Sequence, residues 1–154
     1  MINMKFKIQS SFELLITLSF GLIILLPIVV LAFIQLANTN ISLSSFEAQQ
    51  AASKIADAAT VIGSEGPPAR ETITVAVPPN VQAIYVGSTN NGIGHEIIFV
   101  LRSPTGYNYI TAYTPENVSG NLFGASQVGT YLVEITAMSA CPSNNAISCV
   151  YITL

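Results

Sequence analysis

Phe12–Ala37 reads FELLITLSFGLIILLPIVVLAFIQLA and holds a single charge, Glu13, at its start. At 1.5 Å per residue a helix of this length crosses a hydrocarbon core of roughly 30 Å with some tilt. An ordinary secretory signal has an apolar region of about 7–15 residues and then small residues at a cleavage site. Here the run passes into Asn38-Thr39-Asn40 without an A-x-A pattern, so it is expected to remain on the chain as a single membrane span. Lys5 and Lys7 are the only positive charges near it. The positive-inside bias therefore places the N-terminus in the cytoplasm and everything after Asn38 outside, as a surface domain.

Glu13 is the anomaly of this run. A carboxylate deep in hydrocarbon costs on the order of 2.5–3.5 kcal/mol on insertion scales, and an ionisable group there is by default a functional candidate. Its bland alternative is a place at headgroup level, where the positive end of the helix dipole stabilises it.

The residues leading into the run bear on this choice. Gln9-Ser10-Ser11-Phe12-Glu13 follows the two lysines and opens straight into the apolar helix. This resembles the archaeal prepilins with a class III signal peptide, whose pattern is Q-x-S-x-E at the start of the hydrophobic helix; Gln9, Ser11 and Glu13 occupy its three fixed positions. The resemblance implies a cytoplasmic leader, residues 1–8, removed by a membrane prepilin peptidase between Ile8 and Gln9. It also implies that the apolar helices pack together as a filament core, with β-rich heads outside. Cleavage would create an ammonium on Gln9 that Glu13 of a neighbouring subunit neutralises, so that two costly charges become one pair. The chain departs from the family pattern at Ile8, where a small residue is usual, and at Thr17, with leucine one position later.

Pro27 lies mid-run, where its missing N–H and ring bend a helix or open its hydrogen bonding. A second helical stretch is predicted from about Leu43 to Ile62, with Ser42 or Asn40 as N-cap and Gly63 just past its end. Ile41, Ala48, Ile55 and Ile62 recur every seven residues and form one narrow apolar stripe. Alanines in QQAASKIADAATVI permit close packing, either on the chain's own β-domain or on a sister subunit. Asn38-Thr39-Asn40 marks the membrane exit or a hinge. With the prepilin resemblance this implies a filament-core and stalk helix over 9–63, and Gly63-Ser64-Glu65-Gly66-Pro67-Pro68 separates it from the expected head, 69–154.

From Ala69 short β-type runs alternate with turn residues, the pattern of an all-β sandwich, so the fold class expected is α+β: a long transmembrane and stalk helix followed by an Ig-like or pilin-like head. Strands are predicted at 71–77, 81–86, 95–102, 107–113, 120–123, 129–139 and 147–153. Turns are predicted at Pro78-Pro79-Asn80, Thr89-Asn90-Asn91-Gly92, Ser103-Pro104-Thr105-Gly106 and Thr114-Pro115-Glu116-Asn117. In 72–77 the alternation of Thr72, Thr74 and Ala76 with Ile73, Val75 and Val77 gives one buried and one wetter face. The junction Ala56-Asp57-Ala58-Ala59, Gly66-Pro67-Pro68-Ala69-Arg70 and Pro78-Pro79-Asn80-Val81 also resembles archaeal prepilin-family proteins. Arg70 has Glu65 and Glu71 as local partners, with a solvated charge as the alternative.

Cys141 and Cys149 are the only cysteines and bracket a short polar loop. Outside the cytoplasm such a pair reads as a disulfide. A metal site would need further ligands, and the one histidine, His95, has no spacing motif with them, so no metal or cofactor is expected. No G-x-S-x-G, H-E-x-x-H or P-loop occurs, and His95-Glu96 reads as a strand end rather than as an enzyme's site. Asn40 and Asn117 each begin an N-glycosylation sequon. Only 8% of residues are charged and the net charge is −3, which removes the basic patch that nucleic-acid binding needs. The expected partners are the membrane, a prepilin peptidase and copies of itself or other pilins. The competing class is an uncleaved, anchored domain that binds a ligand or an envelope component.

Overall fold

A computed structural model describes the backbone of every residue except Met1, Thr89, Asn90, Asn91 and Thr105. It describes side-chain environments from Phe12 onward, apart from Ala37 and those same residues. One helix, α1, runs Ile2–Glu65, and six strands follow: β1 (Arg70–Val77), β2 (Val81–Val86), β3 (Gly94–Ser103), β4 (Gly106–Asn121), β5 (Gly129–Met138) and β6 (Cys149–Thr153). Two compact units divide the chain, Met1–Asn40 and Ile41–Leu154.

In the first unit the apolar side chains described between Phe12 and Leu36 are all exposed, around the whole circumference of the helix. Such a surface is unfavourable in water and is what hydrocarbon requires. Hydroxyls in the run satisfy themselves: Thr17 Oγ1 donates to the Glu13 carbonyl at 2.9 Å and Ser19 Oγ to the Leu15 carbonyl at 2.7 Å. This back-bonding removes the cost of carrying a polar group into lipid. This is one helix long and apolar enough to span a membrane near the N-terminus. Helical structure passes through Pro27 and also through Asn38-Thr39-Asn40, where the sequence suggested a break. Thr39 Oγ1 caps the Gln35 carbonyl at 2.8 Å, and no glycine or proline stands there to stop the helix.

In the second unit the strands form one six-stranded mixed sheet in the order β1-β5-β6-β4-β3-β2. All neighbouring pairs are antiparallel except β4 with β6, which is parallel. The sequence reading expected a sandwich; the layer opposite this sheet is helix 41–65. Ala48, Ala51, Ala52, Ile55, Ala56, Ala59 and Ile62 share one core with Ile73, Val75, Phe99, Val133, Ile135 and Ile152. The buried stripe is wider than the seven-residue repeat suggested, because every alanine on that side is used to bring helix and sheet together. A helix can fill the place of a second sheet because either element needs only one apolar face.

The helix ends at Glu65, three residues later than the Ile62 end that Gly63 suggested. Gly66 adopts φ 73°, the left-handed conformation that suits glycine after a helix, and its N–H reaches the Ile62 carbonyl at 3.2 Å. Gly63 lies within the helix, where an added Cβ would run into the Glu116 side chain. The peptide Pro67-Pro68 is cis. The Thr114–Asn117 turn is absent: β4 passes through it as one strand. Pairing of β3 with β4 stops at Glu96↔Tyr113 and resumes at Gly94↔Val118, so the intervening β4 residues form a bulge. Pro115 sits in that bulge, where its missing N–H breaks no ladder bond. Arg70 pairs with neither Glu65 nor Glu71 but across the sheet with Glu134 of β5, at 3.1 Å.

Candidate functional site

Two regions carry the residues singled out by the sequence. The first is the start of α1. Ile8, Gln9 and Ser11 have helical backbone, and their side chains lie outside the described residues. Glu13 is exposed on the helix one turn before Thr17, whose hydroxyl bonds to its carbonyl. Its carboxylate is thus exposed at the head of an apolar surface, and no side chain among the described residues pairs with it.

The second region is the β6 end of the head. Cys141 and Cys149 form a disulfide with their Cα atoms 5.3 Å apart, and both are buried. The loop they close is held from within: Cys141 N–H donates to the Ile147 carbonyl at 2.8 Å and Asn144 N–H to the Cys141 carbonyl at 3.0 Å. Ser143 Oγ lies 3.5 Å from Ser119 Oγ of β4, so the loop reaches two strands along. Asn117 is half-buried in β4 and Ser119 of its sequon is buried, whereas Asn40 is exposed on α1.

His95 is exposed at the start of β3, its Nδ1 3.0 Å from the Glu116 carbonyl oxygen and its ring 6.0 Å from that of Tyr113. Neither contact positions a nucleophile or a carboxylate beside it. Among the described residues no three His, Cys, Asp or Glu side chains gather as metal ligands would.

One feature escaped the sequence reading. On the sheet face turned away from α1, Tyr107, Tyr109 and Tyr113 of β4 are exposed at 61%, 60% and 72%. Exposed side chains of this size on one strand are unusual for a face with no partner. The signal was present in the alternation of Tyr107, Tyr109, Thr111 and Tyr113, which period 2 puts on one side. Compared with known proteins, the chain matches no family model, no curated protein and no solved structure.

Proposed function

We propose that the chain is a structural subunit of an archaeal type IV pilus-like surface filament, inserted through its N-terminal helix and displaying the β-head outside the cell. The observation that carries this reading is an apolar helix exposed on every side that begins with a carboxylate, Glu13, directly after Gln9 and Ser11. In a simple anchor Glu13 gains only the helix-dipole stabilisation of a headgroup-level carboxylate, whereas an assembly of such helices can pair it with the α-ammonium that cleavage before Gln9 would create.

In this reading Lys5 and Lys7 hold the leader in the cytoplasm until a prepilin peptidase cuts the Ile8–Gln9 bond. The helix surface then exchanges lipid for sister helices. That exchange is nearly neutral in apolar contact, so packing and the Gln9–Glu13 pair decide register.

Mass spectrometry of the protein from its native membrane tests the first step: the mature chain is expected to begin at Gln9, and an intact Met1 would remove the proposal. Glu13→Gln tests the second. It is expected to leave insertion and head folding intact while cutting the yield of sheared filaments sharply, because removing one partner of a buried pair costs about 3–5 kcal/mol. Equal filament yield from both proteins would sink the pairing, and a headgroup-level Glu13 predicts that equality.

A further inference from the structure

The outer face of the sheet carries a groove that the filament reading does not use. Register sets Ala83, Val100 and Tyr109 side by side across β2, β3 and β4, and sets Tyr85 opposite Ile98 in the next row of the same face. Together with Gln82 and Tyr107, the residues Ala83, Tyr85, Val100 and Tyr109 line a shallow groove of about 480 Å³. That size falls within the roughly 300–1,000 Å³ common for small-ligand sites. Val100 is buried while Tyr107 and Tyr109 are 61% and 60% exposed, so the rings stand up from an apolar floor. Phe123 meets Tyr85 edge-on, with ring centroids 6.3 Å apart, and fixes one wall.

Three properties of this lining select a ligand class. It contains no charged residue; Glu96 and Arg102 stand opposite Tyr113 and Tyr107 in the ladder and are not among the groove's lining. A nucleotide or an acidic saccharide is thereby disfavoured, since neither finds a cation in the groove. The aromatic residues lining it are all tyrosines, each joining a flat apolar face to a hydroxyl that donates and accepts. Gln82 adds an amide with both donor and acceptor. Alternating flat C–H surfaces and equatorial hydroxyls are the chemistry of a neutral pyranose, which stacks on the rings and hydrogen-bonds at their edges.

We propose that the Tyr107–Tyr109 groove binds neutral saccharides, one or two pyranose units at a time. The inference uses the sheet alone and stands whether or not the chain polymerises.

The test uses the full chain in lipid nanodiscs, because sugar-headgroup detergents would compete. Maltose, cellobiose and N,N′-diacetylchitobiose are titrated against tyrosine fluorescence, which no tryptophan obscures since the chain has none. Saturation-transfer NMR identifies the protons in contact. Saturable millimolar binding by at least one disaccharide is expected, weakened tenfold or more by Tyr109→Ala and several-fold by Gln82→Ala. Tyr109→Phe keeps the ring and is expected to fall between wild type and Tyr109→Ala. Circular dichroism of each variant should match wild type, as all three changes are at the sheet surface. No saturable response to any of the three sugars, or undiminished binding by Tyr109→Ala, overturns the proposal. So does wild-type self-association that Tyr109→Ala abolishes without any sugar response, which would assign the groove to a second copy of the chain.

Discussion

Replacing both cysteines, Cys141→Ala with Cys149→Ala, removes the cross-link between the loop after β5 and the start of β6. The bridged residues are eight apart, and closing so short a loop limits the unfolded chain by about 2.6 kcal/mol on the chain-entropy estimate. The hydrogen bonds from Cys141 and Asn144 within the loop do not depend on sulfur, so the native loop should persist and the loss should fall mainly on the unfolded state. Both sulfurs are buried, and their removal adds a little lost packing. A domain the size of Ile41–Leu154 loses roughly 3–5 °C per kcal/mol, which places the expected drop in Tm near 8–13 °C. The assay is thermal unfolding of the nanodisc-embedded protein by circular dichroism, for wild type and double variant, each with and without reductant. Reductant should lower the wild-type Tm by nearly the amount the substitutions do, and should leave the variant unmoved. A reduced wild type melting within about 2 °C of the oxidised one would refute the reasoning, as would two alkylatable thiols in the protein isolated without reductant.

Two further outcomes are expected. A Cβ at Gly120 would press against the Ile152 backbone of β6, so Gly120→Ala should destabilise the head by about 1–3 kcal/mol, read as a shift in denaturation midpoint; an unchanged midpoint would show that the β4–β6 ladder is looser than described. Lys54 Nζ donates to the Thr74 carbonyl of the edge strand β1 at 2.7 Å, so Lys54→Met should cost only about 0.5–1.5 kcal/mol but raise self-association in sedimentation velocity, as an unguarded edge invites pairing.

How far the sequence reached depended on whether a signal was local. Phe12–Ala37 declares itself because nothing in it needs a partner within the chain. Ile73, Val75 and Val77 were placed inside by period 2 alone and are buried. The Cys141–Cys149 bond followed from nearness in sequence. What failed were inferences about which distant elements meet. Thr114-Pro115-Glu116-Asn117 has every local mark of a turn, but β3 and β6 hold β4 on either side of it and turn it into a bulge. Seven short strands suggested two sheets because nothing in their composition tells a second sheet from a helix as the covering layer. The answer lay in the alanines of 48–59, whose small side chains admit a sheet at close range. Gly63 looked like a helix stop because glycine usually is one; its reason is the Glu116 side chain, which no nearby residue could announce. The tyrosine face is legible in the alternation of Tyr107, Tyr109 and Tyr113, but alternation alone does not tell a wetted face from a binding one.

The position of β6 has a consequence for the order in which the head can form. Last of the strands along the chain, it lies between β5 and β4, which do not pair with each other. Until residues 149–153 arrive, β1 and β5 can make one hairpin-like pair, and β2, β3 and β4 another three-stranded piece, with nothing to join them but the helix. The head is therefore finished by insertion at its centre rather than by growth at its rim. The chain must be free as far as Thr153 before the sheet becomes continuous. A stalled or shortened chain would present two unzipped inner edges, a conspicuous mark for proteases.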